Sequence, residues 1–418
     1  MRGSCASAIL LGLALVWRAD AAEPAPVTRA EFDRLRADND LLRSEVKQMA
    51  ERRSNADGEA APAPRPGSTV FLFSGYAAGT FASRSGETPS FSTAFNPILL
   101  WRIDDSLSFA AELEVEREDD LTTVGLEYAT IDYRAGDWVV FSAGRFLTPF
   151  GLFGPRFHPS WINRLPDAPM IAGHDGLVPI SDDGLQASGG LPIGDARVSW
   201  AIYLSNGPRL NDGADEPEEV GLLHFDQSGD LNRGKAVGGR LGILPVPGIE
   251  LGSSIQFARV GAHRSEQADA DALLAGVDLS CTWDSRAIRG AFDLKAEYIW
   301  SHVDRASYTV TFDPLVGPQT FVYADDDRAG GYVQASYRPS RLRVPVLRDL
   351  EAVVRYEVVR PPASPIPELD GAMQFDRHDR WTTGLDWWIT PSAVLKGAFE
   401  RDTATGERAY LAQLAIGF

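Results

Sequence analysis

The sequence predicts an all-β protein: a sixteen-stranded antiparallel transmembrane β-barrel with a short N-terminal coiled-coil helix. Three observations carry this. From Val70 to Phe418 apolar and polar residues alternate at period two. The alternating runs number about sixteen, and most have the roughly 9–11 residues a tilted membrane strand needs. Their connections alternate between tight turns and long loops, as in a barrel whose turns gather at one rim.

Composition bounds the alternatives. The chain has 418 residues, 44% hydrophobic and 23% charged, with a formal net charge of -18. Collagen-like, low-complexity and wholly disordered chains are excluded. So acidic a chain lacks the basic footprint that nucleic-acid phosphates require. Two cysteines, Cys5 and Cys281, exclude a zinc or disulfide scaffold. The mean hydropathy of -0.16 argues against a helical-bundle membrane protein. It does not argue against a barrel, whose strands carry only half an apolar pattern.

Residues 1–22 read as a signal peptide. Arg2 supplies the positive start, Ala6 to Trp17 the apolar stretch, and Ala19-Asp20-Ala21-Ala22 the small residues for cleavage. The apolar run falls short of the roughly 20 residues of a spanning helix. Residues 23–53 form the predicted arm. Thr28 and Glu31 make a capping box. Phe32, Leu35, Asn39, Leu42, Val46 and Met49 then follow at alternating spacings of three and four. That is a heptad seam, and a polar Asn39 at an a position fixes register and oligomer state. The seam predicts association with identical arms; the alternative is an amphipathic helix lying on its own domain. Residues 54–68, rich in Pro and Gly, read as a linker, and residues 69–418 as the barrel.

The strands are expected at about 70–80, 92–103, 106–117, 122–133, 137–146, 183–190, 196–205, 235–243, 249–260, 272–283, 290–302, 328–338, 350–360, 377–388, 391–401 and 406–418. In the third, Leu107, Phe109, Ala111, Leu113 and Val115 oppose Glu112, Glu114 and Glu116. In the eleventh, Phe292, Leu294, Ala296, Tyr298 and Trp300 oppose Asp293, Lys295 and Glu297. A soluble β-sandwich also alternates, so turn parity and the chain end add weight. Tyr410, Ala412, Leu414, Ile416 and Phe418 form an apolar row to the last residue. Such a row closed by a C-terminal Phe resembles the assembly signal of bacterial outer-membrane barrels. Trp101, Trp138, Trp283 and Trp387 all fall near the turn side, where an aromatic girdle sits.

An inward face rich in charge cannot be a dry core, because unpaired buried charge is too costly. Water is therefore expected inside, and sixteen strands enclose enough room for an aqueous channel. Wall candidates are Arg102, Glu112, Glu114, Glu116, Glu127, Arg145, Arg240, Lys295, Glu297, Arg355, Lys396 and Glu400. The connection after the fifth strand, about 147–182, is the expected constriction. Its aromatic and proline content suggests a loop folded within the barrel. Arg156, His158, Arg164, Asp167, His174 and Asp175 are the polar groups it could present; loop-stabilising pairs and solvated surface are the alternatives for each. Charges fixed at a narrow neck are how such pores select solutes.

With leader, heptad arm and barrel in place, the phrase Ala143-Gly144-Arg145-Phe146-Leu147-Thr148-Pro149-Phe150-Gly151 resembles the phosphate-selective porin O and P family. The resemblance implies a homotrimeric porin among outer-membrane lipids. It would pass small hydrophilic solutes, with phosphate among the candidates. The arm is also similar to that of related dicarboxylate porins. The dense basic set that confers phosphate selectivity in the family has no position-by-position match here. Glu112, Glu114 and Glu116 weigh against simple anion preference.

No catalytic motif stands out, and neither a cofactor nor a metal site is expected: Asp325-Asp326-Asp327 lacks the spacing and Gly of a calcium loop. Arg338, Arg341, Arg343 and Arg348 cluster in one inner turn. The competing function is a structural anchor whose periplasmic arm binds the cell wall or a partner.

Overall fold

The computed structural model describes residues 69–118, 121–172, 176–212, 220–225, 232, 234–310, 317–323, 326–360 and 377–418. The leader, the heptad arm and the linker lie outside the described residues, as do His174, Asp175 and Asp325.

Twenty strands are found among the described residues. They are β1 (Val70–Arg84), β2 (Ser90–Arg102), β3 (Leu107–Glu118), β4 (Leu121–Ala135), β5 (Val139–Leu147), β6 (Ser181–Ile193) and β7 (Ala196–Ser205). Next come β8 (Arg209–Leu210), β9 (Leu223–His224), β10 (Ala236–Val246), β11 (Ile249–Arg259), β12 (Asp271–Ser285) and β13 (Gly290–Val303). The rest are β14 (Ala306–Val310), β15 (Gln319–Tyr323), β16 (Asp326–Arg338), β17 (Leu350–Val359), β18 (His378–Thr390), β19 (Ala393–Asp402) and β20 (Arg408–Gly417). Sixteen of them close one antiparallel barrel, each paired with its neighbours and β20 with β1. Closure leaves no sheet edge, which a strand in lipid could not tolerate.

The barrel follows the predicted sixteen strands. The remaining four make two small ribbons, β8–β9 and β14–β15, within long loops. The sequence reading missed both. Strands of two residues are too short to show a period, and β14–β15 lies in a stretch read as plain loop.

Alternation explains the two faces. Along β17, Glu351, Val353, Arg355, Glu357 and Val359 are buried within the barrel, while Ala352 and Val354 face outward and are exposed. Trp101, Trp138, Trp283 and Trp387 are all exposed on the outer face at the turn rim. Phe91, Trp300, Trp381 and Tyr410 are exposed near the opposite rim, giving a second aromatic band.

The C-terminus completes closure. Phe418 exchanges backbone hydrogen bonds with Gly75, at 2.9 and 3.1 Å. Its ring stacks on Phe95 and meets Phe73, with centroids 6.2 and 5.9 Å apart. Tyr410, Leu414 and Ile416 continue the outward row. In the basic turn Arg338 pairs with Asp349 at 3.1 Å and Arg341 with Asp284 at 2.9 Å. Those arginines are local braces.

Candidate functional site: the loop inside the barrel

The connection from β5 to β6, described over 148–172 and 176–180, does not stand above the rim. It folds into the lumen, with Phe150, Leu152, Leu165, Ile171 and Leu177 buried. Three inward glycines make room for it. A Cβ at Gly276 would meet the Phe150 ring, one at Gly330 would meet Ile171, and one at Gly384 would meet Leu165, 2.7 Å from its Cδ2. Gly151 turns the chain in the left-handed region, with φ of 67°. A Cβ there would lie 1.6 Å from Glu297 Oε1, so only glycine fits.

Polar anchors run along the same path. The Gly151 amide donates to Ser254 Oγ at 3.0 Å, and the Phe153 amide donates to Glu297 Oε2 at 3.2 Å. Arg156 pairs with Glu250 at 2.5 Å. The Lys295 ammonium lies 4.4 Å from the Phe157 ring centroid and pairs with Asp293. Arg164 donates to Glu351 at 3.0 Å and stacks over Trp388. The Met170 amide donates to Glu357 at 2.8 Å. Arg355, 0% exposed, pairs with Glu357 at 3.1 Å and donates to the Asp167 and Ala168 carbonyls. Lys396 donates to the Ser160 carbonyl and to Gln413. Arg84 closes the path, pairing with Asp167 at 2.8 Å and Glu400 at 3.7 Å.

The loop thus fastens to β11, β13 and β17–β20, reaches β1, and only touches β3. That touch is His158. Its Nδ1 donates to the Gly154 carbonyl at 2.5 Å, and its Nε2 lies 3.8 Å from Glu112 Oε1. Tyr76 donates to the same oxygen at 2.7 Å. Burial disfavours the charged imidazole. The close Glu112 carboxylate, the field of Glu127 and the Gly154 carbonyl outweigh it and hold the His158 pKa above its ordinary value.

Two cavities flank the loop. One, of about 420 Å³, borders β1–β4 and is lined by Glu114, Glu116, Glu118, Glu127, Asn96 and the loop's His158 and Asp167. The other, of about 530 Å³, lies toward the turn rim and is lined by Arg134, Arg156, Arg240 and Asp137 among others. Arg102 belongs to a small recess at that rim with Asp104, Asp105 and Asp132. No cluster among the described residues could hold a metal ion.

Of the expected pore-lining residues, Glu114 and Glu116 border open space. Arg156 lines the second cavity and His158 the first. Glu112, Lys295 and Arg355 project from the strands and are packed against the loop, and Arg164, itself on the loop, is packed against Glu351 and Trp388. Arg145 requires a correction. It pairs in register with Asp183, and its neighbours Phe146 and Asp182 take the inner face, so Arg145 points outward. There it pairs with Asp183 at 3.3 Å and donates to Ser181 Oγ and to the Leu126 carbonyl. An arginine near the rim need not face water inside if its partners are beside it. Arg84, Tyr76 and Arg380 were missed, although Arg380-x-Thr382-x-Gly384-x-Asp386 alternates legibly.

Solved structures share this architecture. OmpF of Salmonella typhi, in complex with daunomycin, superposes with a TM-score of 0.53 at 11% identity, over 83% of this chain and 97% of that one. OprB of Pseudomonas putida, at high pH, gives 0.52 at 10% identity, over 83% and 93%. An anion-selective porin from Comamonas acidovorans gives 0.51 at 12% identity, over 84% and 100%. No protein-family model matches the chain, and no curated protein does. At these identities the likeness defines the fold: a sixteen-stranded barrel of porin architecture.

Proposed function

We propose that the protein is a channel of the bacterial outer membrane through which small hydrophilic solutes diffuse. The observation that carries this is the 148–180 loop, folded into the lumen and leaving polar cavities on either side of it. Charged inner walls, an apolar outer face and aromatic bands at both rims support a membrane setting. In this reading residues 1–22 are removed on export and the tight turns face the periplasm. The row Tyr410, Leu414, Ile416 and Phe418 directs assembly. The subunits form a homotrimer, with the 23–53 arms paired through Phe32, Leu35, Asn39, Leu42, Val46 and Met49.

Phosphate or dicarboxylate passage, implied by the resemblance, would call for basic groups facing the solute. The basic side chains expected there are largely engaged otherwise: Arg145 points outward, and Arg164 and Arg355 hold the loop.

Single-channel recording of the folded protein in a planar bilayer tests the proposal, with discrete conductance steps expected. Silence from folded protein would leave the anchor reading, in which deleting residues 24–53 abolishes cell-wall binding. Under the channel reading the same deletion disturbs trimer assembly.

A further inference from the structure

The turn rim carries one connection unlike the rest. Residues 339–349 join β16 to β17, where the other six turns of that rim have two to four residues each. This long turn is bound to the neighbouring turn between β12 and β13. The Arg341 amide donates to the Arg289 carbonyl at 3.1 Å, and the Arg341 guanidinium holds Asp284 by two bonds of 2.9 and 3.0 Å. From the outer face of β16, the Tyr337 hydroxyl donates to the Ile288 carbonyl at 2.6 Å.

Together the two turns form a basic patch. They hold Arg286, Arg289, Arg338, Arg341, Arg343 and Arg348 against only two carboxylates, Asp284 and Asp349. Arg338 and Arg348 share Asp349, and Arg341 takes Asp284. Arg286, Arg289 and Arg343 are exposed, and no ion pair engages them among the described residues. In a chain of net charge -18 this local excess of cations runs against the general trend.

A second feature, of a different kind, lies in the same place. Val344, Val346 and Leu347 are exposed on and beside the helical turn Pro345–Arg348, Val346 by 63%. The fold itself buries none of them, so their apolar surface is left for a partner. Trp283, exposed on the outer face of β12, stands just before the shorter turn. Trp and Tyr at such a level mark a membrane–water interface. Apolar side chains beside basic ones are what a segment lying in that interface presents.

We infer that the 339–349 turn and the turn beside it dock on the periplasmic leaflet by binding the phosphate groups of anionic phospholipids. The forked guanidinium donors match phosphate oxygens in geometry and charge. Clustered arginines next to a membrane-spanning segment are drawn to an anionic leaflet. Val346 and Leu347 then enter the boundary between headgroups and acyl chains. The inference rests on the membrane setting proposed above and is independent of solute passage.

The test is native mass spectrometry of the full chain, folded in dodecyl maltoside and given equal amounts of phosphatidylglycerol and phosphatidylcholine. Wild-type protein should retain phosphatidylglycerol several-fold over phosphatidylcholine, and inorganic phosphate should not displace it. The Arg286→Gln/Arg289→Gln/Arg343→Gln variant, shown to be folded by heat-modifiable gel mobility, should lose most of that preference. Arg408→Gln, exposed at the opposite rim, should keep it. Equal retention of the two lipids by the wild type overturns the inference, as does a folded triple variant with the preference intact. Displacement by inorganic phosphate overturns it in favour of a free-anion site. Binding to purified peptidoglycan that needs the same arginines, without a lipid preference, overturns it in favour of the cell wall. A triple variant that dissociates into smaller oligomers overturns it in favour of a subunit contact. Conductance without lipid preference overturns this inference alone, and lipid preference without conductance overturns the channel reading alone.

Discussion

The wall of β2–β4 and the wall of β16–β19 carry the same alternation of charged and apolar residues. On the first, Glu114, Glu116 and Glu118 border open space. On the second, Arg355, Glu357, Arg380 and Lys396 lie beneath the loop, matched to carboxylates, carbonyls and amides. The difference comes from one loop, which supplies backbone partners to one wall and none to the other. Charge on the covered wall is structural, because each buried ion needs its counterpart. Charge on the open wall borders a cavity where the covered wall meets the loop.

The largest effect is expected on the covered wall. Glu357→Ala removes the partner of both Arg355 and Arg380 and the acceptor of the Met170 amide. It should cost about 3–5 kcal/mol, read as a lower midpoint of urea unfolding in liposomes, with larger and noisier channel currents. Leu165→Ala empties the site beside Gly384 and should cost about 2–5 kcal/mol, with the same change in current. If either variant keeps wild-type stability, the loop is not held as described.

Gly151→Ala forces a Cβ into Glu297 at a positive φ. The loop must lift there, at a cost on the order of 1–3 kcal/mol. Proteolysis of intact vesicles should then cut within 148–180, where the wild type resists.

His158 adds a pH dependence with a definite sign. Its folded pKa is raised above the ordinary 6.5. Its contribution to seating the loop on β3 is therefore full below about pH 6.5 and is lost as pH rises through the higher folded value. Wild-type stability should decline relative to His158→Asn as pH is raised above neutrality. A constant difference across that range would remove the imidazole from the account.

The smallest stability effect belongs to the open wall. Glu116→Gln should shift the unfolding midpoint by no more than about 0.5 kcal/mol, while permeation responds. A large loss of stability would mean that this wall is braced too, and the contrast between the two walls would fail.

Much of this was legible beforehand. Period two located every barrel strand, because one face of each strand turns into the barrel and the other away from it. It also placed Lys295, Glu297, Arg355, Lys396 and Glu400 on the inner face correctly. Polarity alone points Arg145 inward, whereas Asp183 and Ser181 satisfy it outside. Nothing in the local sequence of Arg355 says that a loop would cover it, and nothing beside Arg164 says that it would fasten that loop to Glu351.

By itself the sequence determined the barrel, its strand number, the turn rim and the length of the loop after the fifth strand. These follow from short-range periodicity and from the need to pair the backbone groups of every strand, which closure of the sheet meets. Only the tertiary structure decided which charges are buried and which stay open. Partners such as Arg355 and the Asp167 carbonyl are 188 residues apart. A pairing across that distance depends on where the loop lands, and the landing is set by the inward notches at Gly276, Gly330 and Gly384. Whether an inward carboxylate braces the loop or borders open space is settled by that packing, since the local alternation is the same in both cases.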